Sequence, residues 1–384
     1  MENPLLKRRA FIGILGGGAV FAASGGLWAA TRDPASARRP WSEAGGPMND
    51  PRRKALSFAV LAPNPHNRQP WLVDLSKPDA LTLYCQPERR LPETDPFDRQ
   101  ITIGLGAFLE LLRQAATMDG WRTEIALFPE GEPQPRLDKR PVAHVRFVAD
   151  GAGSKDPLFA NVLARRTNRN PFDVARPVPG DVLAQIVAAA LTTRTGSTGD
   201  PSRVATLRAQ AWEAMRLELS TYETAKESID LLRIGRAEIE ANADGISLPG
   251  PMIEFAATAG FLKREAMLDP ASDTFRRQLD VMKPGFDTAM AFAWIVTDAN
   301  RRVDQIAAGR DYVRINLAAT AAGVAVQPFS QALQEFPKMK QNYDRMRQAL
   351  GIGASETLQM LARLGYAPAV PPSPRWPAET RIAA

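Results

Sequence analysis

Residues 62–71 read Ala-Pro-Asn-Pro-His-Asn-Arg-Gln-Pro-Trp. Three prolines fix the backbone of this stretch, and they leave Asn64, His66, Asn67 and Gln69 as displayed polar groups. An apolar helix end precedes the stretch and a short strand follows it, so backbone amides at the junction are free to bind a ligand. The pattern predicts a rigid loop that holds a flat, polar molecule. The alternative is a surface connection whose amides only cap neighbouring backbone groups.

A second motif occupies residues 165–172 and reads Arg-Arg-Thr-Asn-Arg-Asn-Pro-Phe. A planar guanidinium group forms bidentate, charge-assisted hydrogen bonds with phosphate oxygens, so Arg165, Arg166 and Arg169 are suited to a phosphorylated ligand. An isolated pair of arginines is more typical of a solvated basic helix end. Because the segment occurs together with the first motif, it is not an isolated pair.

Both motifs resemble those of the nitroreductase family of FMN-binding oxidoreductases, and the pattern is similar to its Acg-like branch. In that family the loop contacts the isoalloxazine ring, and the arginine segment holds the phosphate and the ribityl chain. The resemblance departs at Asn64, where serine is usual. It implies FMN as the cofactor and the following contact residues: Pro63, Asn64, Pro65, Asn67, Gln69, Arg165, Arg166, Thr167 and Arg169.

The order of the motifs is unusual for the family, because the loop here precedes the arginine segment by about a hundred residues. Ordinary members are homodimers in which one subunit supplies the arginines and the other supplies the loop. Residues 106–121 and 309–324 also repeat Ala-Ala-Thr-x-x-Gly after a helical apolar pattern. We therefore expect an α+β, nitroreductase-like fold of two fused subunit-like halves, each with a mostly antiparallel sheet flanked by helices. Such a pseudo-dimer is predicted to be a monomer with one FMN.

Contacts from two further segments follow from the resemblance. The segment 327–331, Gln-Pro-Phe-Ser-Gln, falls where family members approach the flavin from the second half, which implies roles for Pro328 and Ser330. The closing segment of the family carries a basic residue that reaches the phosphate, and Arg375 is the candidate here. A disordered, proline-rich tail is the alternative for this end of the chain.

Composition excludes several other classes of function. The chain has 384 residues, 45% of them hydrophobic and 23% charged, which suits a soluble protein with a full core. Its 48 basic and 42 acidic residues leave a net charge of +6 without the aromatic interleaving of single-strand binders, so we expect no nucleic-acid partner. One cysteine and two histidines are too few for a structural zinc site or a haem pair. Neither histidine lies near a Gly-x-Ser-x-Gly turn, which argues against a serine hydrolase.

The first residues resemble a twin-arginine export signal. Lys7-Arg8-Arg9 precedes a glycine-rich apolar run to Ala30, and Ala35-Ser36-Ala37 fits the rule for cleavage after Ala37. An uncleaved anchor is the alternative, because the run is just long enough to span a bilayer. The predicted boundaries are an export signal at 1–37, a linker at 38–51, a first half at 52–155 and a second half at 156–384. The second half is expected to be mainly helical over 202–242 and to carry a lid insertion at about 245–285.

The function expected from these features is two-electron transfer through flavin N5 to a small organic acceptor, with an unidentified electron donor. No side-chain acid or base is required, because the hydride chemistry belongs to the cofactor. The alternative is a flavin-binding or flavin-storage protein whose apolar lid excludes substrate. Export would place the protein in the periplasm or at the outer face of the cytoplasmic membrane.

Overall fold

A computed structural model describes residues 32–151 and 155–383 of the chain. Its helices, in chain order, are α1 (Arg39–Glu43), α2 (Pro51–Ala59), α3 (Arg99–Met118), α4 (Gly180–Val187), α5 (Pro201–Ser220), α6 (Tyr222–Asp230), α7 (Gly235–Ala241), α8 (Pro251–Thr258), α9 (Arg264–Leu268), α10 (Asp273–Asp287), α11 (Arg302–Ala321) and α12 (Lys340–Leu350). Its strands are β1 (Trp71–Asp74), β2 (Ala80–Cys85), β3 (Trp121–Leu127), β4 (Ala143–Ala149), β5 (Arg194–Thr198), β6 (Leu232–Ile234), β7 (Ile246–Leu248), β8 (Ala291–Thr297), β9 (Ala325–Pro328) and β10 (Thr357–Gly365). The predicted twin-arginine motif lies outside the described residues.

The two long helices α3 and α11 cross at a pair of glycines. A β-carbon on Gly106 would overlap the carbonyl oxygen of Ile306, and one on Gly309 would overlap the carbonyl oxygen of Ile103. Glycine therefore permits an approach of the two backbones that any side chain would prevent. The same shift along the sequence relates Gly106 to Gly309 and Ile103 to Ile306, so the crossing has pseudo-twofold symmetry.

Each half contains a four-stranded antiparallel sheet, and the two sheets have the same topology. The first has the strand order β1-β2-β4-β3 and the second has the order β5-β8-β10-β9. Strand β8 is buried at every position, as its continuous apolar run at 292–297 predicts. The expected α+β class with two subunit-like halves is confirmed. A short parallel pair, β6 with β7, lies outside these sheets.

The hydrophobic cores are shared between the halves. The core under the first sheet includes Ile306, Val313 and Leu317 from α11 of the second half. The core under the second sheet includes Ile103 from α3 of the first half. Each half thus completes its core with a helix of the other half, as the two subunits of a dimer do.

Two segments differ from the sequence expectation, and a third confirms it with interruptions. The region 202–242 is mainly helical, as expected, but α5, α6 and α7 are separated at Thr221 and by β6, which pairs with β7. The predicted linker at 38–51 contains α1, whose Trp41 is only 5% exposed. The end of the chain, placed with the second half, returns to the first half, where Ile382 forms a parallel bridge with Val73 of β1.

Candidate cofactor site

The predicted loop and arginine segment meet at the boundary between the halves. The Arg165 guanidinium donates to the carbonyl oxygen of Leu61 over 2.9 Å, directly before the loop. On the other side of the segment, the Asn168 backbone N–H donates to the carbonyl of Val326 in β9, also over 2.9 Å. The structure therefore brings together pieces that lie far apart in the sequence: the loop, residues 165–172 and the end of β9.

The loop has an unusual backbone. His66, Asn67 and Gln69 have φ angles of 45°, 52° and 50°, in the left-handed region that non-glycine residues rarely adopt. Each such conformation costs about 1 kcal/mol or more, so it persists only where the surroundings enforce it. Inside the loop, the Asn64 side chain accepts from the Gln69 backbone N–H at 2.7 Å and donates to the Ala62 carbonyl at 3.1 Å. Asn64 is thus an internal brace of the loop.

The amides of Asn67 and Gln69 are held by the second half of the chain. Asn67 donates to the carbonyl of Pro374 at 3.0 Å and accepts from the Arg375 guanidinium at 2.6 Å. Gln69 is fully buried. Its side-chain amide donates to the carbonyl of Ala243 at 2.7 Å and accepts from the backbone N–H of Trp376 at 2.9 Å. Both ends of each amide are therefore engaged in fixing the loop. A contact of these two amides with the cofactor stays a prediction.

Three arginines surround the indole ring of Trp41. The guanidinium carbons of Arg165, Arg166 and Arg375 lie 5.6, 4.8 and 5.5 Å from its ring centre. We call these residues the arginine cluster. Trp41 itself is fixed by a 2.8 Å hydrogen bond from its indole N–H to the carbonyl of Ser373. Helix α1, which follows the predicted export signal, therefore contributes Trp41 directly to the site.

The arginine cluster carries positive charge without a compensating carboxylate. Its members donate to backbone carbonyls, but none forms an ion pair with another residue of the ranges 32–151 and 155–383. The Nε atoms of Arg165 and Arg375 are buried without a partner. Burial lowers the pKa of Arg165 to about 10, and burial together with the charges of Arg165 and Arg166 lowers the pKa of Arg375. Buried cations are normally paired, so the cluster is the place where a bound anion would be most strongly stabilised.

Arg169 and His66 form a second polar group, on the loop side of the segment. Arg169 has an exposed side chain, yet protein surrounds it closely enough that burial lowers its pKa. Burial and the charges of Arg169 and Arg68 lower the pKa of His66 to about 4, so its imidazole is neutral at pH 7. The buried Nδ1 of His66 has no partner among the described residues.

The other predicted residues lie in the loop, in the arginine segment or at the end of β9. Pro63 is buried, Pro65 opens a 3-10 turn that ends at Asn67, and Thr167 is half-buried. Pro328 ends β9, and Ser330 precedes a second 3-10 turn. Their predicted contacts with a cofactor are not tested by these positions.

Two residues of the site were not identified from the sequence. His66 is quoted in the loop motif, but its partnerless nitrogen depends on the tertiary packing. Arg363 of β10 is fully buried and has a pKa lowered to about 9 by burial. Its guanidinium donates to the carbonyl of Asn170 and to the Gln327 side chain, both at 2.7 Å, and it stacks on Phe172 at 3.8 Å. Arg363 thereby joins the arginine segment to β9 and β10, a role that the strand pattern around it does not signal.

The base of the predicted lid contacts the loop. Asp244 accepts from Arg68, Arg89 and Arg233 at 3.2, 2.9 and 2.9 Å, and it is 6% exposed. The next residue, Gly245, donates its N–H to the Asn67 carbonyl at 3.3 Å. The segment that leads into the lid is therefore fastened to the loop at several points.

The segment after α4 is the counterpart, in the second half, of the loop at 62–71, and other hydrogen bonds fix it. The residues after α4 turn toward the carboxylate of Asp311, which accepts from the backbone N–H groups of Leu191, Thr192 and Thr193 at 2.7–3.0 Å. Arg314 of α11 donates to the Ala189 carbonyl of the same turn at 2.8 Å. Within the described residues this position has no loop like that at 62–71.

No group of three or more His, Cys, Asp or Glu residues that could hold a metal occurs in the described part of the chain.

Two proteins called nitroreductases are similar to this chain over most of its length. A Mycobacterium tuberculosis (strain ATCC 25618 / H37Rv) protein called "Putative NAD(P)H nitroreductase Rv3131" is 29% identical over 345 residues, which cover 85% of this chain and 92% of the relative. From the same strain, "Putative NAD(P)H nitroreductase acg" is 26% identical over 337 residues, or 85% of this chain and 93% of the relative. The chain is therefore similar to these proteins over most of their length. No protein-family model matches the chain.

Solved structures of nitroreductases are also similar to this chain, at low identity. A nitroreductase from Anabaena variabilis ATCC 29413 has a TM-score of 0.42 and 12% identity, covering 86% of this chain and 91% of its own. The FMN-dependent nitroreductase NfnB from Mycobacterium smegmatis, solved in complex with NADPH, has a TM-score of 0.31 and 20% identity, covering 53% of this chain and 84% of its own.

Proposed function

We propose that this chain is an FMN-binding oxidoreductase of the nitroreductase type, with one cofactor held at the boundary between its two halves. The observation that carries the proposal is the arginine cluster, because three cations without a carboxylate partner lie where the loop and the arginine segment meet. A phosphate dianion fits this charge, and bidentate hydrogen bonds from guanidinium groups suit its oxygens. The names of these two relatives agree with this class of reaction.

The remaining residues fit the other parts of FMN. Thr167 follows the cluster directly and offers a hydroxyl for the ribityl chain. Two groups suit the ring: a neutral imidazole at His66, whose Nδ1 has no partner among the described residues, and a cation at Arg169. The loop is rigid because Asn64, Asn67 and Gln69 fix its backbone, so the ring position is set before binding.

The chemistry follows from the cofactor and from the charges around it. FMN, when bound, supplies two-electron transfer as a hydride at its N5 atom. Arg169 holds a positive charge that no described carboxylate neutralises, and such a preorganised charge favours a ligand that gains negative charge on reduction. His66 stays neutral at pH 7 and is therefore available as a hydrogen-bond partner. We propose a small organic acceptor, and the donor class remains to be identified by reduction assays.

A second candidate function is favoured by the base of the lid. Asp244 is bonded to three arginines, and Ala243 and Gly245 are bonded to the loop, so this segment is strongly fixed over the site. A site closed in this way would store FMN without turnover. Anaerobic addition of NADH, NADPH or a quinol distinguishes the two functions: bleaching of the flavin absorbance by any of these donors supports an enzyme, whereas a spectrum that stays unchanged over hours with all of them supports storage.

We also propose that the protein is exported by the twin-arginine route and acts in the periplasm or at the outer face of the cytoplasmic membrane. The support is the Lys7-Arg8-Arg9 motif with the apolar run that follows it. Nicotinamide cofactors are scarce there, so a quinol, which is oxidised to the quinone, or another reduced membrane-bound donor would have to supply the electrons.

The assignment of the cationic residues is tested by flavin binding. Replacing Arg166 or Arg169 by alanine should weaken FMN binding by about 1.5 to 3 kcal/mol each, or roughly 10- to 150-fold in Kd, because each change removes a charged hydrogen-bond donor. Thr167→Val should cost less, because it removes a neutral bond. Arg276→Ala, at an exposed arginine of α10, is the matched control and should leave Kd unchanged. Full flavin occupancy in the Arg166→Ala, Arg169→Ala double variant would reject the assignment.

A further inference from the structure

An exposed apolar face lies on α8 and on the turn that follows it. Helix α8 buries none of its residues. Met252, Ile253, Phe255 and Phe261 are 73%, 37%, 55% and 72% exposed, and we call these four residues the lid face. Met252 and Phe255 are three positions apart, so they lie on the same side of the helix. Contiguous exposed apolar side chains of this kind indicate a surface that contacts another apolar phase.

The N-terminal segment joins the folded protein at the same helix. Arg32, the first described residue, forms a 2.9 Å ion pair with Glu254 of α8. The 31 residues before it include the apolar run that follows Lys7-Arg8-Arg9 and ends at Ala30. The lid face and the end of this run are therefore connected by a very short piece of chain.

The predicted cleavage position is buried in the folded protein. Ala37 is 5% exposed and belongs to a 3-10 turn, Ser36–Arg38. Its carbonyl accepts from the Arg375 backbone N–H at 2.8 Å, and its side chain packs in a small cluster with Ile239, Ala243 and Trp376. A peptidase must draw an extended, accessible segment into its active site. Once the chain has folded, the bond after Ala37 is protected, which favours retention of the segment before it.

We propose that the folded protein keeps its N-terminal segment and rests on a lipid bilayer through the lid face. The apolar run is long enough to enter the bilayer, and its connection at Arg32 brings α8 to the same surface. Aromatic and aliphatic side chains on a short amphipathic helix insert at the boundary of headgroups and acyl chains. Lys263, exposed directly after the lid face, adds attraction to anionic headgroups.

A second protein copy fits the lid face less well than a bilayer does. Four side chains on eight helical residues and one turn expose roughly a few hundred Å² at most. A standard protein interface needs about 800 Å² from each partner. A bilayer has no such threshold, because the N-terminal segment supplies the attachment and the lid face adds to it. The proposal is independent of the cofactor assignment.

The test uses the full chain with a polarity-sensitive fluorophore on a single introduced cysteine. Phe255→Cys reports on the lid face, and Leu191→Cys, at a residue that is 65% exposed, is the matched control. The native Cys85 does not compete for label, because it is 3% exposed and burial raises the pKa of its thiol. Vesicles contain three parts phosphatidylethanolamine and one part phosphatidylglycerol, with and without a lipid that carries a quencher in its acyl chain.

We expect quenching at position 255 and none at 191. Adding Met252→Ser and Phe261→Ser should reduce the quenching at 255 severalfold while the protein still floats with the vesicles. Flotation without quenching at 255 would overturn the docking of the lid face. A blue-shifted label at 255 before vesicles are added would instead show that another part of the chain, or a second copy if the shift depends on concentration, covers it.

Retention of the segment is tested separately by mass spectrometry. The mass of protein recovered from the membrane fraction of producing cells should be that of the uncleaved chain. A mass that corresponds to a chain beginning at Arg38 would overturn this part of the proposal.

Discussion

His66 lies beside Arg169 and Arg68, and these charges together with burial keep its imidazole neutral. Its pKa in the folded protein, about 4, is below the ordinary value of 6.5. Between these two values the unfolded chain binds more protons at this residue than the folded protein does. The stability that depends on His66 is therefore present above about pH 6.5 and is lost as the pH falls toward 4.

Direct titration is the first test at His66. The chain has only two histidines, so an NMR titration of the flavin-free protein resolves both, and His144→Gln identifies the remaining signal as His66. We expect a midpoint near 4. A midpoint at or above 6.5 would contradict the enclosed environment of His66.

The same property predicts a pH-dependent effect of His66→Gln on thermal stability. Asp95 and Glu218 have pKa values raised to about 7 by burial, and they act in the opposite direction, because the folded state binds more protons there. The informative quantity is thus the difference between the variant and the parent protein. On acidification from pH 7 to 5, the Tm of His66→Gln should fall less than that of the parent.

At the level of single residues, the sequence predicted which segments meet but not what each side chain bonds. Gln69 lies in the loop motif, but its partners, the Ala243 carbonyl and the Trp376 N–H, are more than 170 residues away. Arg375 was expected to reach the phosphate, and its guanidinium holds the Leu61 and Ala62 carbonyls as well as Asn67. A motif specifies the types of polar group, whereas the competing backbone acceptors are set by the fold.

Among the helices and strands, the crossing of α3 and α11 leads to a specific prediction about folding stability. Gly106→Ala would place a methyl group against the Ile306 carbonyl, so the two helices would have to move apart. Such overpacking costs about 1 to 3 kcal/mol, more than the gain of up to about 1 kcal/mol in helix propensity. Urea denaturation should therefore show a lower free energy of unfolding.

Gly180→Ala, at the start of α4, is the control for this change. A β-carbon there meets nothing within 4 Å, so the free energy of unfolding should change by no more than about 0.5 kcal/mol. Equal stability of Gly106→Ala and Gly180→Ala would show that the backbones do not approach each other as closely as described.

The central helices could be predicted from the sequence because their pattern is repeated, and strand β8 because it is apolar throughout. The region 202–242 could not be divided correctly, because apolar residues at helical spacing continue through it. The break depends on a distant partner: Leu232 and Ile234 of β6 pair with Ile246 and Leu248 of β7. Local spacing carries no information about such a pairing.

For the molecule as a whole, the shared cores predict the oligomeric state. Each half already packs against the helix of the other, so the surface that a dimer would use is occupied. Light scattering should give a mass near the single-chain value of 41.9 kDa that does not change with concentration. A dimer that persists on dilution would count against the fused-halves interpretation, whereas a weak association at high concentration would not.

The export proposal and the cofactor proposal make one joint prediction. A twin-arginine signal serves chains that fold before they cross the membrane, and a cofactor held between two halves is difficult to insert afterwards. Replacing Arg8 and Arg9 by lysine should therefore leave flavin-loaded precursor in the cytoplasm, measured by fractionation and flavin absorbance. Stable flavin-free precursor, or normal export, would contradict the prediction that the cofactor is loaded before export by the twin-arginine route.

The arm at 374–382 also sets a limit on when the site can form during protein synthesis. Arg375 and Trp376 fix Asn67 and Gln69, and Ile382 pairs with Val73 beside the loop. Arg375 lies 308 positions after Asn67, so the ribosome must add those residues before the loop has its full set of partners. Until then the loop at 62–71, which is synthesised early, lacks the contacts that the late segment 374–382 supplies. Capture of a ligand by this loop is consequently a late event in biogenesis, and it cannot guide the folding of the first half.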